Sequence, residues 1–164
     1  MLRVLLFITL FLTITQAMFA QEYSGAAEPV LPQSARLDGL TMIHQDINRC
    51  ASAALTIQLT YFDEFDGTYH GIIDRLSPYS GDVSVRIEEM AAAAEDFGLR
   101  AIVRRAGTID LLKALVAEGF PVLIENVYYD GPNGWRDWMS HNRVLVGYDD
   151  ALQELYFFDP LLGN

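Results

Sequence analysis

The order of its segments predicts an α+β domain in which N-terminal helices pack on an antiparallel sheet. Three observations carry that expectation. Helix-forming runs fill the first part of the chain and β-rich runs the last. Hydrophobic residues make up 51% and charged residues 20%, which suits a packed core and not a disordered chain. A length of 164 residues suits one domain. The balance of 11 Lys+Arg against 22 Asp+Glu gives a net charge of -11, so the basic footprint that phosphate binding needs is missing. No nucleic acid is expected as a partner. Cys50 is the sole cysteine, which rules out an internal disulfide framework.

Residues 1–20 (MLRVLLFITLFLTITQAMFA) carry Arg3 as their one charge, an apolar run from Val4 to about Thr15, and small residues at Thr15, Ala17 and Ala20. That is the order of a secretory signal peptide. The run is shorter than the ~20 residues of a spanning helix. A cleaved signal and an exported mature protein, periplasmic or extracellular and free of the membrane, are therefore expected. An uncleaved anchor is the alternative. Residues 21–39 (QEYSGAAEPVLPQSARLDG) hold Pro29 and Pro32 and little periodicity, and read as a linker or extended lead-in. The domain proper is expected over residues 40–164.

Cys50 to Phe62 (CASAALTIQLTYF) is nearly continuously apolar, which predicts a largely buried helix starting at or just before Cys50. Asp63–Gly67 breaks it. A short helix is expected over Tyr69–Leu76, stopping before Pro78. Glu88–Phe97 is alanine-rich, acidic at its start and closed by Gly98, the pattern of a helix whose glutamates suit the positive end of its dipole. Leu99–Arg104 reads as a short strand. Thr108 suits an N-cap for a helix over Ile109–Ala117, with Gly119 closing it. Pro121–Val127 is β-rich, Asp130–Gly134 (DGPNG) is a loop by composition, and two more β-rich runs follow at Asn142–Tyr148 and Glu154–Phe158. Asp149, Asp150 and Ala151 separate them, the two aspartates as turn residues.

Gln45, Cys50, His141 and Asp159 are the residues that could carry chemistry. A cysteine nucleophile must be a thiolate, and the unpaired N–H groups of a helix N-terminus lower the thiol pKa. A histidine must take and return the proton, and a third polar group must orient the imidazole. His141 is expected to open one strand and Asp159 to close the next. A hairpin symmetric about Asp150 sets them directly opposite, on one face, with Cβ atoms ~5 Å apart. One residue of slip would send them to opposite faces. Gln45, five residues before Cys50, is close enough to aim its amide at the same spot as the helix N–H groups, where acyl transfer needs oxyanion donors.

These residues resemble a known family. His44-Gln45-Asp46-Ile47-Asn48-Arg49-Cys50 is similar to the Gln-to-Cys motif of the bacteriocin-processing (double-glycine leader) peptidase-like group, a branch of the papain-like cysteine peptidases. Trp138-Met139-Ser140-His141 running into Val144-Leu145-Val146-Gly147-Tyr148-Asp149-Asp150 resembles its His motif, and Phe158-Asp159-Pro160 with Gly163 its Asp motif. The resemblance covers about residues 40 to 164. It implies a papain-like α+β fold, Cys50 as nucleophile, His141 as general base and acid, Asp159 as orienter and Gln45 as oxyanion donor. It also implies a peptide or protein substrate and no cofactor. In two places the sequence departs from the group. Ala51-Ser52 stand where Gly-Pro usually follows the cysteine, although proline would suit a first helical turn. The chain also stops four residues after Pro160, where members normally continue, so a fragment or a differently completed sheet is expected. Nothing in it resembles a transporter or ATPase, so leader-peptide cleavage is not carried over.

Each feature has a plainer reading. A single cysteine is often a small buried hydrophobe, and the scaffold could serve as a weakly active or inert binding module. His44 and His70 have no partner suggested by spacing. Trp135, Trp138, Tyr128 and Tyr129 suit a substrate cleft or ordinary packing equally. Asp63-Glu64-Phe65-Asp66-Gly67 is acidic, but Phe62 stands where a calcium loop needs its first Asp, and no Cys/His set has zinc spacing, so no metal is expected.

Overall fold

The computed structural model describes residues 30–129 and 138–163. The signal segment, most of the lead-in, the Asp130–Gly134 loop and Trp135 lie outside these residues. So do the side chains of Tyr128, Tyr129 and Trp138. Contacts divide the chain at Val30/Leu31, and everything below concerns Leu31 onward.

The elements run β1 (Ser34–Arg36), α1 (Cys50–Leu59), α2 (Tyr69–Leu76), α3 (Ile87–Glu95), α4 (Ile109–Ala117), β2 (Val122–Tyr129), β3 (Trp138–Asp149) and β4 (Glu154–Phe158). Helices and an antiparallel sheet in this order make the fold α+β. Local chemistry accounts for the helix ends. The Thr68 hydroxyl accepts from the Gly71 N–H at 3.1 Å, and the Thr108 hydroxyl from the Leu111 N–H at 3.2 Å, each satisfying one orphan amide of a first turn. Gly98 and Gly119, at φ 78° and 89°, follow α3 and α4 in the left-handed conformation that glycine reaches without strain.

β3 is the centre of the sheet. β2 pairs with its first half, from Val122↔Leu145 to Tyr129↔Trp138, and β1 with its end, Ser34↔Asp149 to Arg36↔Gly147. β4 takes the opposite edge. Ser34–Arg36 thus joins the sheet, although it falls in the expected lead-in; its extended backbone finds the free end of β3. Leu99–Arg104 forms no strand, contrary to expectation. Leu99 and Ala101 pack on the helical core, so the alternation is real, but the segment meets helices and no strand backbone to complete a ladder.

α1 is buried on nearly every side, which explains its all-round apolarity. Ala54 and Ile57 pack on Val144 and Val146 of the sheet. Ala51, Leu55 and Leu59 face Ile72, Leu76, Met90 and Ala93, so α2 and α3 pack chiefly on α1 and not, as expected, directly on the sheet. α4 covers the other sheet face, where Val116 meets Leu145 and Tyr148.

Candidate active site

The sequence His44–Arg49 turns sharply before α1. The Arg49 N–H donates to the Asp46 carbonyl at 3.1 Å, and Asn48 sits at φ 58°, a conformation asparagine tolerates better than most side chains. The Asp46 N–H donates to the Tyr69 hydroxyl at 2.9 Å, tying the turn to α2. Cys50 is the first residue of α1. No side chain caps that end and no acidic residue stands in its first turn. The positive end of the helix dipole is therefore left to whatever anion lies beside Cys50.

His141 and Asp159 meet at this end of the sheet. His141 Nε2–H donates to Asp159 Oδ1 at 2.8 Å, with the two residues 8% and 6% exposed. The same oxygen accepts from the N–H groups of Leu161 at 2.9 Å and Leu162 at 3.2 Å. Paired main-chain bonds of 2.8 Å between Asp159 and Gly163 close the loop behind it. Nε2 is committed to Asp159, and His141 and Cys50 are near enough for each to shift the other's pKa.

The electrostatics follow from these contacts. Burial raises the Cys50 thiol pKa, but hydrogen bonds from His141 and Asn142, with the imidazolium charge, outweigh it, and the net value is lowered. His141 is raised, first by its bond to Cys50 and then by Asp159, against the opposing effect of burial. Asp159 is lowered: burial acts upward, and the bonds from His141 and the Leu161 N–H act downward more strongly. The set favours thiolate, imidazolium and carboxylate together.

The strand positions differ from those expected. His141 does not open β3 but lies inside it, paired with Asn126. Asp159 lies one residue past β4, and a four-residue turn plus an irregularity between Leu145 and Gly147 shifts the ladder, so the pair is not directly opposite. Carrying Val144↔Phe158 one step further sets Asp159 level with Arg143, whose Nε is 3.9 Å from Asp159 Oδ2. Gln45 reaches the same corner through its backbone, its N–H donating to the Pro160 carbonyl at 3.0 Å, and its Oε1 is buried without a partner. His44 lies near Gly163. Asp150 is a turn residue as expected, whereas Asp149 closes β3, its carboxylate accepting from the Ala151 and Leu152 N–H groups of the turn.

A cleft of about 390 Å³ opens beside Cys50 and is lined also by Arg49, Val83, Glu125, Ser140 and Asn142. Asn142, 3% exposed, points its amide Nδ2 at Cys50 Sγ, 3.7 Å away, and Ser140 donates to Glu125 across the strands at 2.6 Å. Sequence reasoning missed Asn142. Its one signal is its place next to the histidine, in the polar stretch Ser140–Arg143 that precedes the apolar part of the strand. Among the described residues no group of three His, Cys, Asp or Glu could hold a metal ion. No helix among them is long and apolar enough to cross a membrane. No curated protein matches the chain. The family model described as "Peptidase_C39 like family" matches residues 29–163.

Proposed function

The chain belongs to the Peptidase_C39-like family of cysteine peptidases and their relatives, and from that premise we propose that it hydrolyses a peptide or amide bond through Cys50, His141 and Asp159. The observation that carries this reading is the buried His141–Asp159 bond of 2.8 Å, beside a cysteine at an uncapped helix start whose thiol pKa His141 lowers.

In this mechanism the Cys50 thiolate attacks the substrate carbonyl carbon, and the carbonyl oxygen takes the negative charge. The Gln45 amide and the first-turn N–H groups of α1 are the donors for that oxyanion. Protonated His141 gives its proton to the leaving nitrogen as the C–N bond breaks, leaving an acyl-cysteine. Neutral His141 then takes a proton from water, whose oxygen attacks the acyl carbon, and the acid departs as the thiolate returns. Asp159, fixed by two main-chain N–H groups, holds the ring in place and stabilises its charged form. The arrangement proposed is papain-like: the helix bearing the cysteine lies against the sheet bearing the other two. The residue order of the first 20 positions supports secretion through a cleaved signal, to the periplasm or outside the cell.

Digestion of a broad peptide library by the wild type and by Cys50→Ala tests the reading. The expected result is cleavage by the wild type alone, with the variant folded. Full turnover by Cys50→Ala would falsify the assignment. A second reading, an inert scaffold that binds without cleaving, is favoured by Ala51-Ser52 in place of the usual Gly-Pro. It predicts that neither protein cleaves and that the thiol reacts only near the ordinary value of about 8.5.

A further inference from the structure

Consecutive strand residues point to opposite faces, yet His141 and Asn142 both act on the Cys50 thiol. Asn142 pairs with Glu125 in the ladder and shares its face with Val144, the face on which α1 packs. Its side chain is thereby carried directly under the start of the helix. Burial is close to complete, and Nδ2 has one hydrogen-bond acceptor, Cys50 Sγ at 3.7 Å. The amide oxygen is buried with no partner among the described residues. A buried asparagine kept for structure would satisfy both ends of its amide. This one satisfies only the end that faces the nucleophile. Its orientation is also the one a thiolate requires, since the reverse would set the carbonyl oxygen against a negative sulfur.

We propose that Asn142 is a catalytic residue, a second hydrogen-bond donor that holds the Cys50 thiolate independently of His141. The proposal rests on Cys50 being the nucleophile, as argued above. Its value lies in the division of labour. A thiolate held only by an imidazolium loses that donor whenever His141 is neutral. An amide donor cannot titrate, so it stays with the sulfur through both halves of the cycle and keeps Sγ aimed into the cleft.

The experiment is the pH profile of Cys50 alkylation by iodoacetamide, read in the wild type, Asn142→Leu, Asn142→Asp, His141→Ala and the His141→Ala/Asn142→Leu double variant, with circular dichroism to confirm folding. The wild type is expected to react with a midpoint well below the ordinary thiol value of about 8.5. Asn142→Leu should raise that midpoint by roughly one pH unit, about a tenfold loss of thiolate at a fixed pH below it. Asn142→Asp, which keeps the shape, should raise it further, because a carboxylate repels the thiolate. His141→Ala should leave a midpoint still below that of the same variant combined with Asn142→Leu. An unchanged midpoint in folded Asn142→Leu, or in Asn142→Asp if the leucine variant does not fold, overturns the proposal while leaving Cys50 as nucleophile. An ordinary midpoint in the wild type overturns the hydrolase reading itself, and this proposal with it.

Discussion

Asp159 Oδ1 accepts three hydrogen bonds, from His141 Nε2 and the N–H groups of Leu161 and Leu162, so neither the carboxylate nor the ring it holds is free to turn. Pro160, the next residue, accepts from the Gln45 N–H, which ties the segment before Cys50 to the same corner. On its proposed role, Gln45→Ala should lower kcat about 100- to 1,000-fold, the usual cost of one lost oxyanion donor. KM and the alkylation midpoint of Cys50 should barely move, because the amide acts on charge that appears only after attack. A KM rise with kcat intact would assign Gln45 to binding instead. The four candidate residues stand out in the sequence by type and order, a thiol, an imidazole, a carboxylate and an amide; the structure brings His141 and Asp159 into contact and Gln45 to the same corner through its backbone. Asn142 does not stand out, because nothing in one dimension tells which polar residue of a strand is buried against a sulfur and which faces water.

At the scale of elements, the meeting of His141 and Asp159 depends on an irregular hairpin. Near the turn the ladder runs Asp149↔Glu154, Tyr148↔Leu155 and Gly147↔Tyr156; beyond the bulge it runs Leu145↔Phe157 and Val144↔Phe158. Had the first register continued, Asp159 would stand opposite Val144, on the face packed against α1. The extra residue in β3 restores the parity, and Asp159 falls on the His141 and Arg143 face. The expected symmetric hairpin reached the right face by a different count. Turn length and bulge depend on how β1, β3 and β4 crowd together, which local sequence does not encode. Helix positions were far more legible: Tyr69–Leu76 and the cap at Thr108 follow from local chemistry alone. Gly147 marks the bulge. A Cβ there would lie 2.9 Å from the Ala35 carbonyl oxygen and 3.0 Å from Tyr156 Cδ2. Gly147→Ala should therefore destabilise by about 1–3 kcal/mol, the usual cost of overpacking, read as a lower urea midpoint at unchanged slope. Wild-type stability in that variant would mean that β1 yields freely and does not fix the bulge.

The whole molecule carries a net charge of -11, so its stability changes with pH through general self-repulsion as well as through the site. Exposed ion pairs such as Arg75–Asp96, with side chains 48% and 53% accessible, do little to offset this. Comparing the wild type with Asp159→Asn cancels most of that background and isolates the buried pair. Asp159 has its folded pKa lowered, by the His141 bond against burial, so its contribution is complete above the unfolded value of about 3.9 and is lost as pH falls through the lower folded one. His141 has its folded pKa raised, by Cys50 and then Asp159, so its contribution is complete below the unfolded value of about 6.5 and is lost as pH rises through the higher folded one. Urea unfolding from pH 3 to 9 should therefore show the wild type ahead of Asp159→Asn by on the order of 2 kcal/mol, as for a hydrogen bond between charged groups, on a plateau between those two values. The gap should close on the acid side, where Asp159 protonates. On the alkaline side it should shrink without vanishing, because the carboxylate still accepts from the Leu161 and Leu162 N–H groups after the imidazole loses its charge. A gap that stays constant across the range, or widens above pH 7, would mean that Asp159 acts only on the loop behind it and leaves His141 uncharged in the folded protein.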